Sequence, residues 1–364
     1  MSVLLAELRA APPSELGAAF ERHVLTTFGH EPTAWSDAWP RVYARLSDGL
    51  TVDRDVALRG QASGGWGDDE SRLVATLAFG QRTFLSAVPL LRTYGGTPGP
   101  VLDLGSGSGA AALAATVCGA PRVTLVDADS RTVDWGARLI SSSGSPVDTV
   151  VGDLMDARIA SDIVWVLAAF SLNEVLVRRP ALDGRLGGLL ESWASGGRRV
   201  LVLEPGTHDA SRRLQRARDA LGDRTRVLGP CTHAALCPML LAGERDWCHL
   251  TRPSSLGPVA RRILRTAGRD DSATHLSWLA LGPGSLRSGE SRVLDVRGAG
   301  KGKSRFLVCD AEGLRDLTTL TRHRSALTDL EPGAVVRIPA DALEARGDGL
   351  RVSAPDRVGV VRPL

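Results

Sequence analysis

Apolar residues recur at helical spacing through Leu73, Val74, Leu77, Ala78, Phe84, Leu85 and Val88, which predicts a helix over Ser71–Leu91. It belongs to a mostly helical stretch that ends near residue 97, with a loop expected at residues 60–67 from its glycine content. The segment Gly95-Gly-Thr-Pro-Gly-Pro100 then interrupts the chain, and the pattern changes. Short apolar strands are predicted at Val101–Leu104, Val123–Val126, Val147–Val151, Ile163–Phe170 and Val200–Leu203. Helical segments at Ala110–Val117 and Arg131–Ile140 separate the first three. Such alternation predicts an α/β fold with a parallel sheet covered on both faces. Further helices are expected at Ala210–Leu221 and around Val259–Ala267. From Ser291 the pattern shortens to alternating strands at Arg292–Val296, Arg305–Cys309, Ala334–Ile338, Leu350–Val352 and Val358–Val361, read as a small antiparallel β-module. Four regions follow: a helical N-terminal part (1–97), a Rossmann-like domain (98–228), a cysteine-rich region (229–288) and a C-terminal β-rich module (289–364).

The turn after the first strand carries the strongest chemical signal. Val101-Leu-Asp-Leu-Gly-Ser-Gly-Ser-Gly-Ala110 runs from strand through a glycine loop into a helix. Glycines allow the tight turn and let backbone approach a ligand closely. Asp127 ends the next strand 22 residues after Gly105, where an acidic side chain accepts hydrogen bonds from ribose hydroxyls. Asp153 follows the third strand at a place suited to the adenine edge, and Asp103 is positioned to order the loop and approach the cationic end of a ligand. A dinucleotide reader usually shows Gly-x-Gly-x-x-Gly. Here the spacing is Gly-x-Gly-x-Gly with an aspartate two residues ahead, a pattern that resembles class I methyltransferases and points to S-adenosylmethionine. A Rossmann turn that holds no ligand is the alternative. After the fourth strand the chain reads Ser171-Leu-Asn-Glu174, so Asn173 and Glu174 are the candidates for contacting a methyl acceptor. The prolines and aromatic residue of the Asn-Pro-Pro-Tyr-like acceptor loop of nitrogen methyltransferases are missing, and no general base stands out.

Composition changes the picture only in places. Apolar residues at 43% and charged residues at 23% are ordinary for a globular chain. The longest apolar run, Ile163–Phe170, is too short to cross a bilayer, and Glu7 and Arg9 interrupt the N-terminal apolar stretch, so neither a membrane span nor an export signal is expected and a cytoplasmic location is the default. A net charge of +3 neither demands nor excludes nucleic acid. Positive charge is nearly all arginine. Arg212, Arg213, Arg216, Arg218, Arg224 and Arg226, and again Arg261, Arg262 and Arg265, read either as phosphate contacts or as solvated helix faces.

Of five cysteines, Cys118 sits in a run of small apolar residues and reads as a core thiol. Cys231 and Cys237 flank five residues, Cys248 follows in Asp246-Trp-Cys-His249, and Cys309 lies on a predicted strand. Four thiolates ligate tetrahedral zinc or an iron–sulfur cluster. Structural zinc sites favour tight Cys-x(2–4)-Cys knuckles, which are absent here; wide spacing with proline after one ligand suits a cubane cluster better.

Taken in order, Asp103-Leu-Gly-Ser-Gly-Ser-Gly109, Ser171-Leu-Asn-Glu174, Glu204-Pro-Gly-Thr207, Pro230-Cys231, Cys237-Pro238, Asp246-Trp-Cys-His249, His275-Leu-Ser-Trp-Leu279 and Cys309 resemble the ribosomal small-subunit methyltransferase-like family, over residues from about 60 to about 325. That family has a mitochondrial branch acting in small-subunit assembly and many bacterial members. The resemblance implies a class I methyltransferase-like Rossmann fold with a cysteine-cluster insertion. It also implies a site for S-adenosylmethionine built from Asp103, Gly105, Ser106, Gly107, Gly109, Asp127, Asp153 and Ser171, and a 4Fe-4S cluster on Cys231, Cys237, Cys248 and Cys309. Its implied partner is small-subunit ribosomal RNA or a pre-ribosomal particle. Cys231-Thr-His233 stands where the family often reads Cys-Pro-His, and Leu250 where it reads Phe; both changes spare the ligands. A methyltransferase for RNA or a ribosomal component, a non-catalytic assembly factor, and a zinc-containing small-molecule methyltransferase are the three functions weighed.

Overall fold

The computed structural model describes residues 3–51, 67–284, 286, 289–298, 302–320, 330–346 and 349–362. The loop expected at 60–67 lies outside them except for Gly67. The chain forms two compact units.

The first unit comprises Met1–Asp183, Ser195–Glu204 and Pro253–Thr274. Its sheet holds β1 (Val101–Leu104), β2 (Val123–Asp127), β3 (Val147–Val151), β4 (Trp165–Ala169) and β5 (Arg199–Pro205), all parallel, in the order 3-2-1-4-5. This is the doubly wound order that opens a crevice beyond the carboxyl end of β1, where the strand order reverses. Every side chain of β1 is buried, as expected of a central parallel strand with helices on both faces. The helix Ala110–Val117 is buried along its whole length, which its run of small residues permits. The helix Ser130–Ser141 is capped by Asp129, whose carboxylate accepts from Arg131 N at 3.2 Å and from the Thr132 hydroxyl at 2.7 Å.

The predicted helix over Ser71–Leu91 is part of Asp69–Thr93. Its length and composition would suffice to cross a membrane, the one such case among the described residues, but 72% of its most apolar stretch is buried inside the protein, where it serves as a core helix. Its middle turn, Thr76–Gly80, is a π-helix, which the apolar spacing did not reveal. One inserted residue shifts the register by less than the width of the apolar stripe, so periodicity hides it.

The second unit comprises Gly184–Ala194, Pro205–Arg252 and His275–Leu364. Here β6 (Val227–Gly229) runs antiparallel to β8 (Ala273–Leu281), and β7 (Leu250–Pro253) also pairs with β8. None of these three was expected from the sequence. From Leu276 to Leu281 β8 is continuously buried, so it lacks the alternation that marks a half-exposed strand. The helix His208–Asp219 covers most of the predicted Ala210–Leu221.

The C-terminal module is larger than predicted and not purely antiparallel. Among the described residues its strands are β9 (Glu290–Gly298), β10 (Lys303–Asp310), β11 (Gly313–Leu320), β12 (Val335–Arg337), β13 (Leu343–Arg346), β14 (Gly349–Val352) and β15 (Gly359–Arg362). They order as 13-14-11-10-9-12-15, with β11 and β14 parallel. Val293, Phe306, Val308, Leu317 and Val336 form the centre of its core. The unpredicted strands β11 and β13 are mostly half-buried or exposed, which dilutes their apolar pattern.

Candidate functional site

In the first unit, the chain leaves β1 through three glycines in the left-handed region, with φ of 69° at Gly105, 51° at Gly107 and 78° at Gly109. Side-chain-bearing residues are strained there. Crowding adds a second requirement. A Cβ on Gly105 would lie 2.4 Å from Ser171 Cβ, and one on Gly109 would lie 3.0 Å from Gly136 Cα in the helix behind. The amides of Gly105 and Ser106 both donate to Val126 O, at 2.8 and 2.9 Å, and tie the loop to β2. Ser171 closes the end of β1, its hydroxyl donating to Leu104 O at 2.9 Å.

Asp127 braces the same loop. Its Oδ2 accepts from Gly107 N at 2.9 Å and its Oδ1 from Asp129 N at 3.1 Å. A carboxylate offers about four acceptor positions, so these two bonds leave acceptor capacity unused. Burial raises the Asp127 carboxyl above its ordinary range, against the lowering effect of the two amide bonds. Asp103 is buried at the foot of the loop. Its Oδ2 accepts from Ala112 N at 3.0 Å, while Oδ1 has no partner. Burial pushes its carboxyl up to about 7, partly opposed by the Ala112 amide, with the nearby Asp127 charge adding to the rise. The buried hydroxyl of Ser106 also lacks a partner. Asp153 lies beside Asp127, since the Gly152 amide donates to Asp127 O at 2.9 Å; its own carboxylate is engaged by Arg179 and by Met155 N. Asn173 donates its amide to Glu204 Oε1 at 3.1 Å, and Glu174 falls in the first turn of the helix Leu172–Arg178.

Two contributors were not legible in the sequence. Phe170 turns the chain at the end of β4 with φ of 59°, the sole non-glycine residue with positive φ among those described. It leads directly into Ser171, and a strained residue at a strand's carboxyl end is a common mark of a functional turn. The π-turn is the other. Gly80 approaches Ser108 so closely that a Cβ there would lie 2.8 Å from its hydroxyl, and Thr76 accepts from Trp135 Nε1 at 3.0 Å.

In the second unit, Cys231, Cys237, Cys248 and Cys309 line one pocket, although Cys309 comes from β10. All four are free thiols. Burial raises the thiol pKa values of Cys231, Cys248 and Cys309, to about 12 for Cys248, and the neighbouring cysteines push each of them further. These groups are neutral unless a cation compensates the thiolate charge. Among the described residues, no three His, Cys, Asp or Glu side chains are grouped to hold one metal ion. His233 Nε2 stands 3.7 Å from Cys309 Sγ. The family-like segment around Trp278 also finds its place: Ser277 donates to Cys248 O at 3.0 Å, and Trp278 lies under the Arg292 guanidinium at 5.4 Å.

In the arginine run before the cysteines, Arg216 is exposed, but the reading of Arg212 and Arg218 needs correction. Arg212 and Arg218 are 1% and 2% exposed, so they are neither a solvated face nor a phosphate-binding one. Arg212 donates to Gly243 O and Asp246 O, Arg218 to His233 O and Ala235 O, and Arg224 to Ala234 O. They are internal braces of the cysteine-bearing loops. By contrast Arg261, Arg262 and Arg265 are exposed on the helix Pro258–Thr266 of the first unit; Arg262 lies 3.7 Å over the Trp35 ring and Arg265 pairs with Asp271.

Comparison with known proteins agrees with the α/β methyltransferase-like fold. The chain is 33% identical over 192 residues to a ribosomal protein L11 methyltransferase of Pelobacter propionicus, an alignment covering 48% of this chain and 59% of that protein. The chain thus spans well under two thirds of that relative. Among solved structures, an RNA methyltransferase from Salinibacter ruber in complex with S-adenosyl-L-homocysteine matches at 24% identity and a TM-score of 0.26, over 33% of this chain and 72% of that one. A geranyl diphosphate C-methyltransferase from Streptomyces coelicolor matches at 14% identity and a TM-score of 0.34, over 61% and 86%. The family model described as mitochondrial small ribosomal subunit Rsm22 matches residues 91–331, and the chain belongs to that family.

Proposed function

We propose that this protein binds S-adenosylmethionine on the Gly105–Gly109 loop and acts, as a methyltransferase or methyltransferase-like factor, on the ribosomal small subunit through its RNA. The observation that carries this reading is the turn itself: three left-handed glycines, a carboxylate brace with acceptor capacity left over, and two buried polar atoms, Asp103 Oδ1 and Ser106 Oγ, without partners. Buried polar atoms are normally satisfied, and a polar, cationic ligand would satisfy these. When bound, S-adenosylmethionine supplies a methyl group on a sulfonium centre. The chain's own residues would then do the following. Asp127 accepts from the ribose hydroxyls, Asp103 balances the ligand's positive charge, Gly105, Ser106, Gly107 and Gly109 give backbone access, and Asp153 and Ser171 bound the pocket. Asn173 and Glu174 stand at the strand end where an acceptor would be aligned, and alignment is the main task in methyl transfer.

Family membership and the exposed arginines of the helix Pro258–Thr266 support a ribosomal RNA partner. The second reading, a non-catalytic assembly factor, is favoured by Ser171-Leu-Asn-Glu174, which lacks an acceptor-loop motif. We further propose that Cys231, Cys237, Cys248 and Cys309 hold an iron–sulfur cluster. The support for this ligand set is that all four cysteines line one pocket.

The test is incubation of the protein with small-subunit particles and S-adenosylmethionine carrying a labelled methyl group. Label on the ribosomal RNA is the outcome for a methyltransferase. Co-sedimentation without transfer would favour the assembly factor, and a protein that neither transfers label nor co-sediments would overturn the ribosomal reading.

A further inference from the structure

The helix His208–Asp219 brings three polar residues, beside Leu214, to the thiol pocket. Ser211, Gln215 and Arg218 all line the pocket, at the spacing that places residues on one side of a helix. Gln215 is buried, and its Nε2 donates to Cys237 Sγ at 3.2 Å. Its Oε1 has no partner, so the sulfur contact is the one hydrogen bond this buried amide makes among the described residues. Asp219 accepts from the Cys237 amide at 2.8 Å, which fixes the same cysteine from its backbone.

The charges point the same way. Arg218 lies within electrostatic reach of Cys231 and Cys237, and Arg292 within reach of Cys231 and Cys248. Arg292 is 4% exposed and donates to Pro230 O and Gly333 O. Asp219 neutralises part of the Arg218 charge, and the buried Asp310 is held by Arg315 and Ser291. Thiolate ligands in this pocket would add negative charge beside these buried guanidiniums.

We infer that Gln215 and Arg218 are positioning residues for a sulfur-ligated centre, the first through an N–H···S bond to Cys237 and the second as a buried counter-cation, and that together they favour its more negatively charged state. This rests on the reading of the four cysteines as ligands. Hydrogen bonds to ligand sulfur raise the reduction potential of an iron–sulfur centre, because they stabilise the added electron.

The experiment uses the full chain purified without oxygen, with iron, sulfide and zinc measured, and a reductive titration followed by visible absorbance. Gln215→Leu should keep its iron and sulfide and titrate at a more negative potential than the wild type. An unchanged potential overturns the inference. Should Gln215→Leu lose its centre, Gln215→Met, which is neutral and of similar length but offers no N–H, carries the same expectation and the same refutation. Wild-type protein that holds zinc would defeat the iron–sulfur reading alone. The inference is then read in the cobalt(II)-loaded protein, where loss of the N–H···S bond should move the sulfur-to-cobalt band to longer wavelength and an unmoved band overturns it. Wild-type protein with no metal at all overturns both.

Discussion

Asp103 is the residue whose chemistry departs furthest from its ordinary state in the turn after β1. Folding raises its carboxyl from 3.8 to about 7, chiefly by burial. Between those values the folded chain holds a proton that the unfolded chain has released. The stability it contributes is therefore full below about pH 4 and is lost as pH rises through about 7. Asp103→Asn keeps the shape and cannot titrate. Denaturant midpoints of the variant should vary less with pH across this window than those of the wild type, with Asp127, also raised, keeping some slope. An identical slope in both proteins would mean that Asp103 is ionised in the fold. The residues of this turn were legible because the signal is local: glycine spacing and two carboxylates at strand ends determine it. The orphaned state of Asp103 Oδ1 and Ser106 Oγ was not, since it depends on what packs around them.

At the scale of elements, the helix Pro258–Thr266 shows how a segment distant in sequence joins the first unit. Its N-terminus has no cap of its own; Gly257 precedes Pro258. The buried Glu21 supplies one, with Oε2 accepting from Val259 N at 3.0 Å and Oε1 from Ala260 N at 2.7 Å, while Gln81 Oε1 accepts from Gly257 N at 2.9 Å. Gly257 is needed for this approach, because a Cβ there would lie 2.3 Å from the Glu21 carboxyl carbon. Glu21→Ala leaves two buried amides without acceptors and should cost on the order of 2–4 kcal/mol, seen as a lower denaturant midpoint. A loss within ~0.5 kcal/mol would mean that the helix docks without this contact. Periodicity located this helix almost to its ends, and it located the five parallel strands equally well. It failed where burial and alternation part company. The continuously buried β8 and the half-exposed β11 and β13 carry no clean two-residue period. Arg212 and Arg218 of the helix His208–Asp219 misled for a related reason. Charge pattern alone cannot separate a solvated guanidinium from one buried against loop carbonyls, as Arg212 and Arg218 are.

For the molecule as a whole, two sets of candidate site residues come from two units, each organised by its own packing. The first unit was readable in outline because a doubly wound sheet repeats one rule along the chain: strand, turn, helix. The gathering of Cys309 with cysteines more than sixty residues earlier was suggested by cysteine chemistry and by family resemblance, since no local pattern brings β10 to the loops before it. The claim on which the account turns is that the loop after β1 receives S-adenosylmethionine with Asp127 as the ribose partner. Isothermal calorimetry of S-adenosylmethionine with the wild type and with Asp127→Ala tests it directly. The account predicts one site in the wild type and an affinity weaker by about tenfold or more in the variant, where charge-assisted hydrogen bonds worth on the order of 1.5–3 kcal/mol are lost. Absence of binding to the wild type, or equal affinities in the two proteins, would contradict it.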